Sequence, residues 1–159
     1  MHLKNLLHFY SMVSLGFPKY PVRVKNTENK PLIFDPVRKK WIVLTPEEWV
    51  RIHCLYYLTQ TKGYPLSWIR VEQKIEVYTT RKRFDIVIQN PNKGIEVLVE
   101  CKAPSVAISQ STFDQIARYN LELKSNYLMI TNGLNHYFCQ MTKEQKNFTF
   151  IESLPAYTE

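Results

Sequence analysis

The period of apolar positions changes along the chain, and each change marks an element. Residues 32–44, L-I-F-D-P-V-R-K-K-W-I-V-L, hold two β-prone runs around D-P-V-R-K-K and predict a hairpin. The stretch before it, 15–31, carries Pro18, Pro21 and Pro31 and a polar N-T-E-N-K. It predicts an irregular lead-in with one short strand at 22–24. T-P-E-E at 45–48 starts a helix, with Thr45 as N-cap, Pro46 in the first turn and Glu48 closing a capping box. Trp49, Ile52, Tyr56 and Tyr57 recur at helical spacing, and Val50, Cys54, Leu55 and Leu58 fill most of the circumference. A well-buried helix over 46–61 follows, ended by Gly63. Three β-prone runs come next, at 69–78, 83–89 and 95–102, with the turn P-N-K-G at 91–94 joining the last two and Pro104 stopping the third. Phe113, Ile116, Ala117, Tyr119 and Leu123 give a second helix over 110–124. A strand at 127–131 is closed by Asn132-Gly133, and 136–141 with 148–151 forms a last hairpin. The core order is α-β-β-β-α-β with extra strands at each end, an α/β sandwich with a mixed central sheet flanked by helices.

Two acids and a lysine stand on neighbouring strands inside apolar runs. R-F-D-I-V-I (83–88) contains Asp85, and I-E-V-L-V-E-C-K-A-P (95–104) contains Glu100 and Lys102. Charge at such positions is costly unless it is paired, hydrated or coordinating a metal. Strand side chains alternate faces, so Glu100 and Lys102 share one face, roughly 7 Å apart at Cα. Val97, Val99 and Cys101 take the other face as core. Asp85 shares its face with Arg83 and Val87, while Phe84, Ile86 and Ile88 point oppositely. If both apolar sets pack together, Asp85 and Glu100 meet on the opposite side. Two readings are open here. E-x-K on a strand is often a surface ion pair worth under ~1 kcal/mol. Two carboxylates beside a lysine also form an oxygen-rich divalent-metal site, with the Cys101 main-chain carbonyl as a further ligand and Lys102 to hold an attacking water.

The chain's 159 residues suit one globular domain, at 17–159 after an N-terminal extension at 1–16. Residues 1–15 lack the charged start, continuous apolar centre and cleavage site of a signal peptide, and no run approaches a membrane span. Cys54, Cys101 and Cys139 are far apart and include no C-x-x-C pair, which argues against a zinc site and fits a reducing cytoplasm. The net charge of +7 is compatible with a polyanionic partner. Arg81, Lys82 and Arg83 stand before the Asp85 strand, where backbone phosphates would approach, although a charge run is more often a solvated face.

The spacing D-(x14)-E-x-K, followed by a helix carrying Q-x-x-x-Y (Gln115, Tyr119), resembles the PD-(D/E)xK nuclease superfamily. T-P-E-E-W-V-R (45–51), R-K-R-F-D-I-V-I (81–88), V-E-C-K-A-P (99–104), F-D-Q-I-A-R-Y-N (113–120) and L-M-I-T-N-G (128–133) together resemble the N-terminal nuclease domain of type I restriction-enzyme R subunits, in its small stand-alone bacterial form. The resemblance covers about residues 17–151. It implies a restriction-endonuclease-like fold and Mg²⁺-dependent hydrolysis of DNA phosphodiester bonds, with Mn²⁺ accepted by the same ligands. By that likeness Asp85 and Glu100 are the metal acids, Lys102 is the catalytic lysine, and Glu48 is the helix acid completing the site through water. Gln115 and Tyr119 are then the motif that supports the site and the DNA backbone. Phe84 stands where the superfamily pattern has proline. A homodimer or larger restriction-type complex is compatible with cutting two strands. Two other readings stay open: a catalytically silent DNA- or partner-binding module on the same fold, and a structural or regulatory oligomer.

Overall fold

The computed structural model describes residues 13–77, 80–142, 144 and 147–159. Most of the extension expected at 1–16 lies outside these. Its last residues, from Val13 on, lie against the fold: the Trp49 indole N–H donates to the Val13 carbonyl at 3.3 Å, and the Gly16 N–H donates to the Gly133 carbonyl at 2.6 Å.

The lead-in and the first hairpin make one antiparallel three-stranded sheet, β1 (Val24–Asn26), β2 (Pro31–Asp35) and β3 (Lys40–Val43). Helix α1 (Pro46–Tyr56) follows and runs on as a wider π-turn over Tyr57–Thr61, together spanning the expected 46–61. Strands β4 (Ile69–Val77), β5 (Thr80–Asn90) and β6 (Gly94–Cys101) form an antiparallel meander. Helix α2 (Gln110–Leu123) then crosses to β7 (Tyr127–Thr131), which pairs parallel to β6. β8 (His136–Thr142) and β9 (Asn147–Ile151) complete a six-stranded sheet in chain order. The architecture is mixed α/β with a mixed sheet and two helices, compatible with the expected restriction-endonuclease-like fold.

The large sheet is covered on both faces. Ile86, Ile88, Val97, Val99, Cys101 and Met129 pack with Val50, Ile52, Cys54 and Leu55 of α1. Phe84, Val87, Leu98, Leu128 and Ile130 pack instead with Phe113, Ile116 and Ala117 of α2. Alternation thus holds for Ile86 and Ile88 but fails at Phe84, which joins the α2 side. The face carrying Glu100 is therefore a second core rather than a bare outer face. Ser109 caps α2 by accepting the Thr112 N–H at 3.2 Å, and Lys124 ends it in the left-handed region at φ 56°. Among the described residues no helix is long and apolar enough to cross a membrane.

Candidate active site

The regular pairing of β5 with β6 ends at Ile86 opposite Val99. Continued by one step it would set Asp85 against Glu100. Instead the Asp85 Oδ2 accepts the Cys101 backbone N–H at 2.7 Å, so a carboxylate takes the place of a ladder carbonyl. The strands part at this step, which also lets Phe84 turn to the α2 side. Asp85 and Glu100 are left adjacent inside the sheet, each only 8% exposed.

Their electrostatics follow from that burial. Desolvation pushes the Asp85 carboxyl up to about 7; the Glu100 charge adds to the rise, and the Cys101 N–H opposes it. Desolvation also raises Glu100, against the pull of Lys82 and Lys102. Lys102 Nζ lies 3.6 Å from Glu100 Oε1, an ion pair just outside hydrogen-bond range. The other Glu100 oxygen, Oε2, is buried and has no hydrogen-bond partner among the described residues. A buried carboxylate oxygen without a donor is uncommon and costly. Among the described residues no three His, Cys, Asp or Glu side chains cluster closely enough to hold a metal ion by themselves. Two carboxylates and an open oxygen do suit Mg²⁺, which keeps several waters and takes few protein ligands. The Cys101 side chain is buried on the α1 side, and its backbone N–H is the one that Asp85 accepts.

Of the two acids in the first turn of α1, Glu47 is the one whose charge bears on this pair, while Glu48, expected to complete the site, is held elsewhere. Glu47 raises both Asp85 and Glu100. The Glu48 carboxylate is held instead by Arg51, whose Nε donates to Oε2 at 2.7 Å. Arg51 in turn pairs with the fully buried Asp35 at 2.8 Å. Thr45 accepts the Glu48 N–H at 3.1 Å, so half the capping box forms, and the Arg51 pair takes the other half's place. The physical reason is helix register. Glu47 is two turns ahead of Cys54, whose thiol donates to the Met129 sulfur at 3.8 Å beside Cys101. That stripe faces the end of β6, and Glu48 lies about a quarter-turn away. The i, i+7 spacing of Glu47 and a core Cys54 is the sequence signal that singles out Glu47.

Of the other predicted residues, Lys82 joins the site. Its charge, with that of Lys102, favours ionised Glu100, and its ammonium lies 5.2 Å from the Tyr119 ring centroid and 5.5 Å from that of Phe84. Tyr119 is thereby brought to the same wall. Gln115 is exposed and, among the described residues, makes no hydrogen bond to either acid. Arg81 pairs with Glu76 at 2.9 Å on the surface, and Arg83 is exposed.

The loop leaving β6 is pinned beside the site. The Lys102 N–H donates to the Thr131 carbonyl at 2.8 Å, and the Asn132 amide donates to the Val106 carbonyl at 2.9 Å. Asn132 Oδ1 accepts from Leu134 and Asn135, and Gly133 takes φ 85°, so Asn132-Gly133 is the turn its sequence suggested. His53 and His136 are engaged structurally: His53 Nδ1 sits 2.8 Å from the Trp49 carbonyl, and His136 bridges Thr131 and Gly16. A cleft of about 450 Å³ lined by Phe17, Tyr20, Trp49 and His53 includes none of the acids.

A family model described as Type I restriction enzyme R protein N terminus (HSDR_N) matches residues 46–155. No curated protein matches the chain.

Proposed function

The chain belongs to the family of type I restriction enzyme R protein N termini, and from that premise we propose that it is a divalent-metal-dependent DNA endonuclease. The observation that carries this reading is the Asp85–Glu100 pair, buried side by side with one oxygen unpartnered among the described residues and Asp85 pushed up to about 7. A fold keeps such a pair at a cost that a bound cation would offset.

Asp85, Glu100 and the Cys101 main-chain carbonyl would hold Mg²⁺ or Mn²⁺, with Glu47 reaching the shell through water. When bound, the cation supplies charge neutralisation at the scissile phosphate and a more acidic water. Lys102, 33% exposed and tethered to Glu100, holds the attacking water and opposes charge on the phosphoryl oxygens. Water adds to phosphorus as the bond to the leaving sugar oxygen breaks, in line. Lys82, steadied over Tyr119, meets a neighbouring backbone phosphate. Gln115, exposed on α2 one turn before Tyr119, meets the incoming strand.

Asp85→Ala and Lys102→Ala should each remove Mg²⁺- or Mn²⁺-dependent cleavage of DNA, by about 10²-fold or more, with circular dichroism unchanged. Cleavage equal to wild type in both variants would reject the assignment. Metal-independent, salt-sensitive DNA binding with no cleavage under any metal would favour the silent binding module instead.

A further inference from the structure

The three-stranded sheet β1–β2–β3 lies before the matched residues 46–155, and its role is not contained in them. Its two faces differ in kind. Val24, Ile33 and Ile42 are paired across the strands, with Ile33 fully buried against α1. The outer face carries Lys25, Leu32 and Val43 in one row, and Arg23, Phe34 and Trp41 in the next. The Arg23 guanidinium stands 4.5 Å from the Phe34 ring centroid and 5.2 Å from that of Trp41, and the Lys25 ammonium stands 4.2 Å from Trp41. Arg23 and Lys25 are both exposed, as are Lys39 and Lys40 at the hairpin tip.

The charge is concentrated here. Residues 22–44 hold six cations against two acids, a net +4 of the chain's +7. One of those acids, Asp35, is engaged inside by Arg51. The hairpin tip is also tied to the site. Arg38 Nη2 pairs with Glu72 Oε2 at 2.6 Å, and Glu72 lies on β4 between Val71 and Gln73, whose partners Ile86 and Phe84 flank Asp85. The basic sheet therefore begins one strand from the reacting carboxylates.

We propose that the outer face of this sheet is the surface on which duplex DNA docks to present a phosphate to Asp85 and Glu100. The inference rests on the nuclease reading above. Phosphate contact rather than base stacking follows from the geometry. The ring faces of Phe34 and Trp41 are already covered by cations, which leaves no open platform for bases. The rings instead fix Arg23 and Lys25 along one strand, about 7 Å apart, as paired phosphate contacts. Binding of this kind tracks the backbone, ignores sequence and falls steeply with salt.

The test is fluorescence anisotropy of a labelled duplex with the full chain in EDTA, where cleavage is silent. Arg23→Gln/Lys25→Gln should weaken duplex binding about tenfold at ~0.1 M salt and lower the slope of log K against log salt by about 2. The exchange Arg23→Lys/Lys25→Arg should keep binding within about threefold, since both cations still cover rings. Lys93→Ala, on the exposed turn at the far end of β5, should bind as wild type. Unchanged affinity in the glutamine pair, or tighter binding of a single strand than of the duplex, overturns the docking surface. Absence of any duplex binding by wild type at low salt overturns it as well. The two readings fail separately. Cleavage that persists undiminished in the glutamine pair at subsaturating DNA rejects the docking face alone. Salt-dependent binding lost in that pair, without cleavage in wild type under metal, rejects the nuclease alone.

Discussion

Two groups of buried acids sit a short distance apart in this protein, and they are treated in opposite ways. Asp35 is fully buried, and every interaction it needs is supplied. Its Oδ1 accepts the Val37 and Arg38 N–H groups, and its Oδ2 meets Arg51. Arg51, 2% exposed, is shared with Glu48, and Arg38 carries the network on to Glu72. Asp85 and Glu100 are buried almost as deeply, yet among the described residues their cations are partly exposed lysines and one Glu100 oxygen has no partner. The first group joins the small sheet to α1. The second leaves the charge balance of the large sheet incomplete. Burial alone does not distinguish the two groups; what their partners leave undone does.

The largest effect should come from cutting the satisfied network. Arg51→Met leaves Asp35 buried without its cation. Breaking a buried pair from one side costs about 3–5 kcal/mol. That is a large share of the roughly 5–15 kcal/mol typical of a folded domain. Urea unfolding should show a midpoint shift of that size with an unchanged slope. A loss under ~1 kcal/mol would mean that Asp35 finds water, and the contrast between the two groups would collapse.

The opposite sign is expected at the site. The folded Asp85 carboxyl lies at about 7, against 3.8 ordinarily. Below the ordinary value both folded and unfolded chains are protonated there, and no cost appears. As pH rises from about 4 to 7 the unfolded chain ionises first, so stability falls; above about 7 the loss is complete and flat. At about 1.4 kcal/mol per pH unit the loss is on the order of 4 kcal/mol. Asp85→Asn keeps an oxygen for the Cys101 N–H and removes the charge. It should be ~4 kcal/mol more stable than wild type at about pH 8 and equal to it near pH ~4, by unfolding midpoints. Saturating Mg²⁺ at about pH 8 should raise the wild-type midpoint and leave the variant's unmoved. Equal pH profiles for the two proteins would contradict the reading of Asp85 as a strained carboxyl.

How far the sequence reached follows the same divide. The elements were legible because periods of two and 3.6, the T-P-E-E start and the P-N-K-G turn are local signals. The strand expected at 127–131 spans the observed Tyr127–Thr131. The closeness of Asp85, Glu100 and Lys102 was legible from the pleat and from the family likeness. Alternation could not show that β5 and β6 part at Asp85, because a side chain replacing a ladder carbonyl is a tertiary event. Nor could it show the second core over Glu100, because Leu98 looks the same on a covered face as on an open one. Asp35 passed as a turn residue: D-P-V-R reads as local chemistry, and Arg51 is sixteen residues away.

The smallest and most discriminating comparison is between the neighbours Glu47 and Glu48. Both are acids in the first turn of α1, both follow Pro46, and the capping box singles out Glu48 from sequence. Their surroundings separate them. Glu48→Gln removes a charge from Arg51, which is buried and already carries one N–H-bearing nitrogen, Nη1, with no partner among the described residues. It should cost about 1–2 kcal/mol of stability, as loss of a hydrogen-bonded charge does. Its metal requirement should match that of wild type. Glu47→Gln removes an exposed carboxylate whose influence falls on Asp85 and Glu100. Stability should stay within ~0.5 kcal/mol. The Mg²⁺ concentration for half-maximal cleavage should rise several-fold, because one negative charge near the shell is gone. If Glu48→Gln shifts the metal requirement and Glu47→Gln does not, the helix acid of the site is the one the capping box singled out. The Arg51 network would then belong to the reaction rather than to the fold.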